Sequence, residues 1–133
     1  MRYFFPQDTY HRDPVPQGLN EWINWPEVDA EIGGLFAARA SIAPGMGHDF
    51  HYHPGRVEII YVLEGTIEQW VGEDRQVLTP GDAVVIPADR VHASFNIGST
   101  EAKLFVVLTP ARSDQPLAVD VSGEDPWKTL RNQ

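Results

Sequence analysis

The sequence contains no cysteine. Disulfides and thiolate metal sites are therefore excluded, and any metal ion must be held by imidazole, carboxylate or water. A reducing compartment is permitted by this absence but not required. Basic side chains are also scarce, with 10 Lys and Arg against 19 Asp and Glu for a formal charge of −9. So acidic a surface repels phosphate backbones, and no Lys/Arg cluster or basic–aromatic interleaving relieves it, so nucleic acid is not an expected partner. The acidity reads as a solubility device. No apolar run approaches the roughly 18 residues of a membrane span. Residues 1–8 carry a short aromatic run but no apolar core of signal-peptide length. No membrane partner and a cytoplasmic location are the expectations. Helical periodicity is nearly absent as well.

What is present instead is a succession of short apolar runs cut by Gly and Pro. With 133 residues the chain has room for a single core. Strands are predicted over residues 35–42, over two runs within 57–71 joined near Glu64-Gly65, and over 76–78, 83–86, 91–97 and 103–108. Such spacing indicates an all-β sandwich or barrel. Residues 1–32 hold Pro6, Pro14, Pro16 and Pro26 among six aromatics. Prolines exclude a long helix and aromatics argue against disorder, which leaves an extended arm packed on its own domain or on a partner subunit. Trp22 and Trp25 read as packing residues, with a lid or substrate shelf as the alternative. Arg39 interrupts one face of its strand: it would hold a substrate carboxylate if that face is internal and is a surface charge if not. The tail after Pro110 is polar and proline-interrupted, with Trp127 docking a final turn.

The chemistry is concentrated in residues 45–65, which hold three of the five histidines. In extended chain His51 and His53 leave the same face, and Pro54-Gly55 then turns the chain into an apolar run with one carboxylate, Glu58, near its start. Two neutral imidazoles and a carboxylate form a ligand set for a divalent first-row metal, and a cation removes the desolvation problem of the buried charge. Downstream, His92, Ser94 and Asn96 share a strand face. If that face looks into the same cavity, His92 completes a set of three histidines and one glutamate.

These two segments resemble the paired motifs of the cupin superfamily. The first motif is met by Gly45, His51, His53, Glu58 and Gly65, and the second by Gly81, Pro87, His92 and Asn96. One position departs: Asp89 stands where the family usually has Gly. A positive φ is expected there, and Asp is among the residues that tolerate it. The 15 residues between the motifs, 66–80, match the short spacing of small single-domain cupins.

The resemblance implies a double-stranded β-helix, a jelly-roll barrel, over residues 33–110, with the extended N-terminal arm at 1–32 and a tail at 111–133 in one domain. It implies one divalent ion per chain, Fe, Mn, Ni or Zn, on His51, His53, Glu58 and His92, with Glu58 also a candidate catalytic base. His48 and His11 fit no ligand position and read as solvated or structural. Tyr61, Gln69, Trp70, Ser94, Asn96 and Phe105 are candidates for the pocket wall, with Trp70 by default in the core and Asn96 securing a turn. The simplest function implied is a mononuclear metalloenzyme such as an iron-dependent dioxygenase of a small organic substrate. The alternatives are a non-catalytic binding or sensing module and a Lewis-acid isomerase or lyase. A homodimer is expected, since small cupins commonly pair through sheet faces and arms.

Overall fold

The apolar runs between the Gly and Pro turns form strands. A computed structural model describes residues 3–24 and 34–132, and the following statements concern those residues. In chain order the strands are β1 (His11–Val15), β2 (Gly18–Trp22), β3 (Phe36–Ile42), β4 (Gly47–Tyr52), β5 (Val57–Glu64), β6 (Ile67–Val71), β7 (Asp74–Leu78), β8 (Ala83–Ile86), β9 (His92–Asn96), β10 (Ala102–Thr109) and β11 (Val119–Asp120). One helical turn, α1 (Trp127–Leu130), follows them. Six strands make one antiparallel sheet in the order β1-β2-β3-β10-β5-β8, and five make the other in the order β11-β4-β9-β6-β7. Two such sheets closed over one another are the double-stranded β-helix implied by the motifs.

Alternation of side chains decides what lies between the sheets. In β5, Glu58, Ile60 and Val62 are buried while Val57, Ile59, Tyr61 and Leu63 face outward. In β10, Ala102, Leu104, Val106 and Leu108 point inward. They join Phe36, Ile42, Ile67 and Ile86 in the main core, each large aliphatic or aromatic side chain stabilising the fold by about 1.5–3 kcal/mol. Gly65 turns β5 into β6 with φ of 91°. A Cβ there would come within 2.9 Å of Ala102, so the motif glycine serves both the turn and the close strand contact.

The arm lies on its own barrel. β1 and β2 form a hairpin, and β2 pairs with β3 from Gly18↔Ile42 to Trp22↔Ala38. Trp22 is buried and stacks on Phe36 with centroids 5.1 Å apart. Trp25 lies outside the described residues. The tail crosses the opposite sheet: β11 pairs with β4, and Trp127 packs 5.4 Å from Phe50. The Arg131 guanidinium sits 3.8 Å above the Phe95 ring, and its Nε donates to Glu68 Oε1 at 2.6 Å. These contacts bury a second apolar cluster outside the barrel, around Phe50, Trp70, Ala93, Phe95 and Val121. No helix is long and apolar enough to cross a membrane.

Strand parity decides one alternative and corrects two expectations. Ala38, Ala40 and Ile42 face the core, so Arg39 faces away, where its Nε donates to Glu21 Oε1 at 3.2 Å. It holds no pocket ligand. Tyr61 is exposed and Phe105 half-buried on the outer face of the same sheet.

Candidate metal centre

A bulge in β4 composes the site. His48 pairs with Ser94 and His51 with His92, so two residues of β4, Asp49 and Phe50, oppose one of β9, Ala93. The extra residue lets His48 and His51, which a regular strand would place on opposite faces, both line the cavity between the sheets. Their rings stack with centroids 3.5 Å apart and planes 13° from parallel. His48, expected to be solvated, is exposed as a residue but has its ring packed flat on His51. His53 follows on the same face as His51, and Phe50 and Tyr52, on either side of His51, turn outward to the second cluster.

His51, His53 and His92 converge. All are buried, and their available ligand atoms lie within 4.8 Å of one another. Glu58 approaches from the facing sheet, its Oε1 3.0 Å from His92 Nε2 and 3.5 Å from His53 Nε2.

The other nitrogen of each ring is committed to the backbone. Nδ1 of His51 lies 2.6 Å from the Asp49 carbonyl, Nδ1 of His53 2.7 Å from that of Leu117, and Nδ1 of His92 2.9 Å from that of Arg90. A carbonyl can only accept, so each Nδ1 carries a proton and each neutral ring turns its Nε2 lone pair into the cavity. His53 Nε2, His92 Nε2 and Glu58 Oε1 are buried without a hydrogen-bond partner. Lone pairs facing a carboxylate oxygen at 3.0 Å repel unless a proton or a cation lies between them. The donor set therefore fits a divalent ion of nitrogen–oxygen preference.

Electrostatics support the same reading. Burial, aided by the neighbouring histidines, drives His51 well below the usual imidazole value, so it is neutral at physiological pH. Burial and the same neighbours lower His48 to about 4. For His53 burial pulls downward, but the Glu58 carboxylate outweighs it and the net shift is upward. Burial pushes Glu58 upward, yet without a metal a proton on the facing imidazoles stands in for the cation and holds the carboxyl below the carboxylate range.

The surroundings divide by chemistry. A cavity of about 110 Å³ adjoins the histidines, with Ile42, Ile60, Leu104, Val106 and Leu108 as its aliphatic wall and Trp22 beside them. Of the expected wall residues, Ser94 lines it and donates to Gln69 Oε1 at 2.6 Å. Gln69 lines a separate pocket near β7, and Trp70 belongs to the outer cluster. Asn96 ties down the following turn through the Ile42 and Thr100 carbonyls and the Gly98 amide.

Two contributors escaped the sequence reading. Leu117, in the tail, supplies the carbonyl that orients His53. Arg56, buried beside the motif, donates to the carbonyls of Pro110, Pro116 and Ala111 at 3.1, 3.4 and 3.5 Å and so holds that tail across the barrel. Leu117 acts through its backbone oxygen and Arg56 binds only backbone oxygens, so no pair of side chains marks either in the sequence.

Residues 38–108 match the family described as the Cupin domain. A germin-like protein of Morus alba is 38% identical over 78 residues, covering 55% of this chain and 37% of the relative. The chain spans about two-fifths of the length of the curated relatives it matches. KdgF from Halomonas sp. superposes with a TM-score of 0.73 at 22% identity, over 86% of this chain and 98% of that one. A predicted oxalate decarboxylase from Thermotoga maritima does so with a TM-score of 0.69 at 19% identity, over 81% and 99%. At these identities the structural likeness establishes the fold.

Proposed function

The chain belongs to the cupin family, and from that membership and the buried histidine–carboxylate cluster we propose that it is a mononuclear metal-dependent enzyme, an iron-dependent dioxygenase of a small organic substrate. The observation that carries the reading is the set of three buried atoms, His53 Nε2, His92 Nε2 and Glu58 Oε1, that face one another with no hydrogen-bond partner. His51, His53 and His92 would hold the ion through Nε2, with Glu58 as the fourth ligand. When bound, such an ion supplies Lewis acidity and, if it is iron, the redox chemistry of oxygen activation.

The protein's own groups do the rest. Backbone carbonyls at Asp49, Leu117 and Arg90 fix the tautomer and the plane of each ring. Ile60, Leu104, Val106 and Leu108 keep the inner cavity apolar, which excludes bulk water and suits an apolar gas. Glu58 is the sole carboxylate lining that inner cavity among the described residues, and we assign it the role of proton acceptor from substrate.

The test is oxygen uptake by protein reconstituted anaerobically with Fe(II), Mn(II), Ni(II) or Zn(II) in turn. Substrate-dependent uptake with Fe(II) and none with Zn(II) is expected. Turnover that proceeds equally without oxygen would replace the dioxygenase with a Lewis-acid isomerase or lyase.

A further inference from the structure

The inner cavity does not end at the histidines. A second, outer cavity of about 450 Å³ shares Gln17, Asn20, His48, His51 and Ala118 with it. The two form one cleft that runs from the buried ligands to solvent between the arm hairpin and β11. Its chemistry changes along its length. At the inner end lie unpartnered buried nitrogens and a carboxylate oxygen. The aliphatic wall flanks these atoms within the inner cavity, and Gln17, Asn20, His48 and His51 border both cavities. At the outer end two amides, Gln17 and Asn20, stand beside two exposed carboxylates, Asp49 and Asp120.

No Lys or Arg lines either cavity among the described residues. The nearby guanidinium groups are engaged elsewhere, Arg39 by Glu21 and Arg56 by backbone carbonyls. A dianionic ligand could direct one carboxylate to a metal, but its other carboxylate would meet an aliphatic wall or a second negative charge, each unfavourable. A ligand with an apolar body and a hydroxyl, amide or ammonium at its far end meets matching groups throughout.

We propose that this cleft selects a substrate with one metal-chelating head, an apolar body and an uncharged or cationic outer end, and that Asp49 and Asp120 are specificity determinants that turn away small dicarboxylates. The proposal rests on the metal-dependent reading above. It goes beyond that reading by naming the class of substrate and two residues outside both motifs.

Two ligands with the same chelating head separate the effects: 4-methyl-2-oxopentanoate has an aliphatic tail and 2-oxoglutarate an anionic one. Metal content of Co(II)-loaded protein is measured first, and binding of each ligand is then followed by the Co(II) absorption band. The aliphatic ligand is expected to bind about tenfold more tightly than the dianion. In a D49N/D120N variant the dianion gains affinity and the aliphatic ligand is unchanged. Asn retains the Oδ1 that accepts from the Phe50 amide and, at 120, from the Ser122 amide. Raising the salt concentration narrows the gap in the unsubstituted protein, because exposed charges are screened. Equal or tighter binding of 2-oxoglutarate, a gap that neither the variant nor salt alters, or a loaded metal that responds to neither ligand would overturn this inference alone. Protein that takes up no metal would overturn the metal reading, and this inference with it.

Discussion

Asp89 accepts a hydrogen bond from the Gly55 amide at 2.9 Å while holding φ at 65°. The residue that departs from the cupin pattern thus joins the two motif loops: Pro54-Gly55 turns the chain between His53 and Glu58, and Asp89 turns it into the strand of His92. A glycine would take the turn without strain but could not make this bond. The two effects are separable. Asp89→Ala keeps a Cβ at positive φ and loses the bond, so it is expected to destabilise by about 2 kcal/mol. Asp89→Gly loses the bond but relieves the backbone, and should remain within about 1 kcal/mol of the parent. Chemical denaturation distinguishes them; equal losses would mean that φ is of no consequence.

Arg56 is buried without a carboxylate partner and serves three tail carbonyls. Arg56→Met would leave those oxygens unpaired and free the segment that presents the Leu117 carbonyl to His53. A loss of about 3 kcal/mol of stability is expected, with weaker metal binding although every ligand is intact. Arg56→Lys should rescue little, since an ammonium cannot span three acceptors in the plane of a guanidinium. Metal titration beside thermal melting tests both points, and unchanged affinity in a folded Arg56→Met protein would remove Arg56 from the site's support.

Histidine titration gives the metal-free protein a direction with pH. His51 and His48 have lowered values in the fold, so between pH 5 and 6.5 the unfolded chain binds more protons at these positions than the folded one. Stability must therefore fall as pH drops through that window, above the range in which carboxylates titrate. His53 is raised by Glu58 and acts oppositely: its stabilisation is complete below the unfolded value and is lost as pH rises through the folded one. Melting temperature should thus decline from pH 6.5 to 5, and the decline should shrink in His51→Asn. A temperature independent of pH across that window would contradict the burial of neutral imidazoles.

The outer face of β5 and β8 is apolar. Ile59, Tyr61 and Leu63 are each more than 40% exposed, and Val85, beside Ile59 in the register, is 62% exposed. A second copy of the chain is our proposal for what covers this face. Tyr61→Glu with Val85→Lys is expected to convert a dimer into a monomer in light scattering. A parent protein that is already monomeric would refute the pairing.

The sequence and the structure agree most closely where spacing encodes geometry. Period-two alternation places His51 with His53 and His92 with Ser94, and the turn glycines bound the strands that carry them. The positive φ at Asp89 was legible because the cupin motif has Gly at that position, and Asp tolerates it. Parity of a whole strand was not legible at Arg39, where both faces carry alanines and only pairing with β2 and β10 decides which is inside. The bulge that stacks His48 on His51 has no marker in the sequence, and it converts a residue read as solvated into a wall of the cleft. Leu117 was invisible for a different reason, because a carbonyl that orients an imidazole is common to every residue type. The arm, read as packed on its own domain or on a partner subunit, is held to its own domain by main-chain hydrogen bonds to β3.

We propose that His51, His53, Glu58 and His92 together hold one divalent ion. Elemental analysis of purified protein beside a His51→Ala, His92→Ala double variant tests it most directly. Close to one Fe, Mn, Ni or Zn per chain in the parent, and none in the variant, is the predicted result. A parent chain that remains empty after anaerobic reconstitution with each of these ions, or a variant that retains the metal, would contradict it.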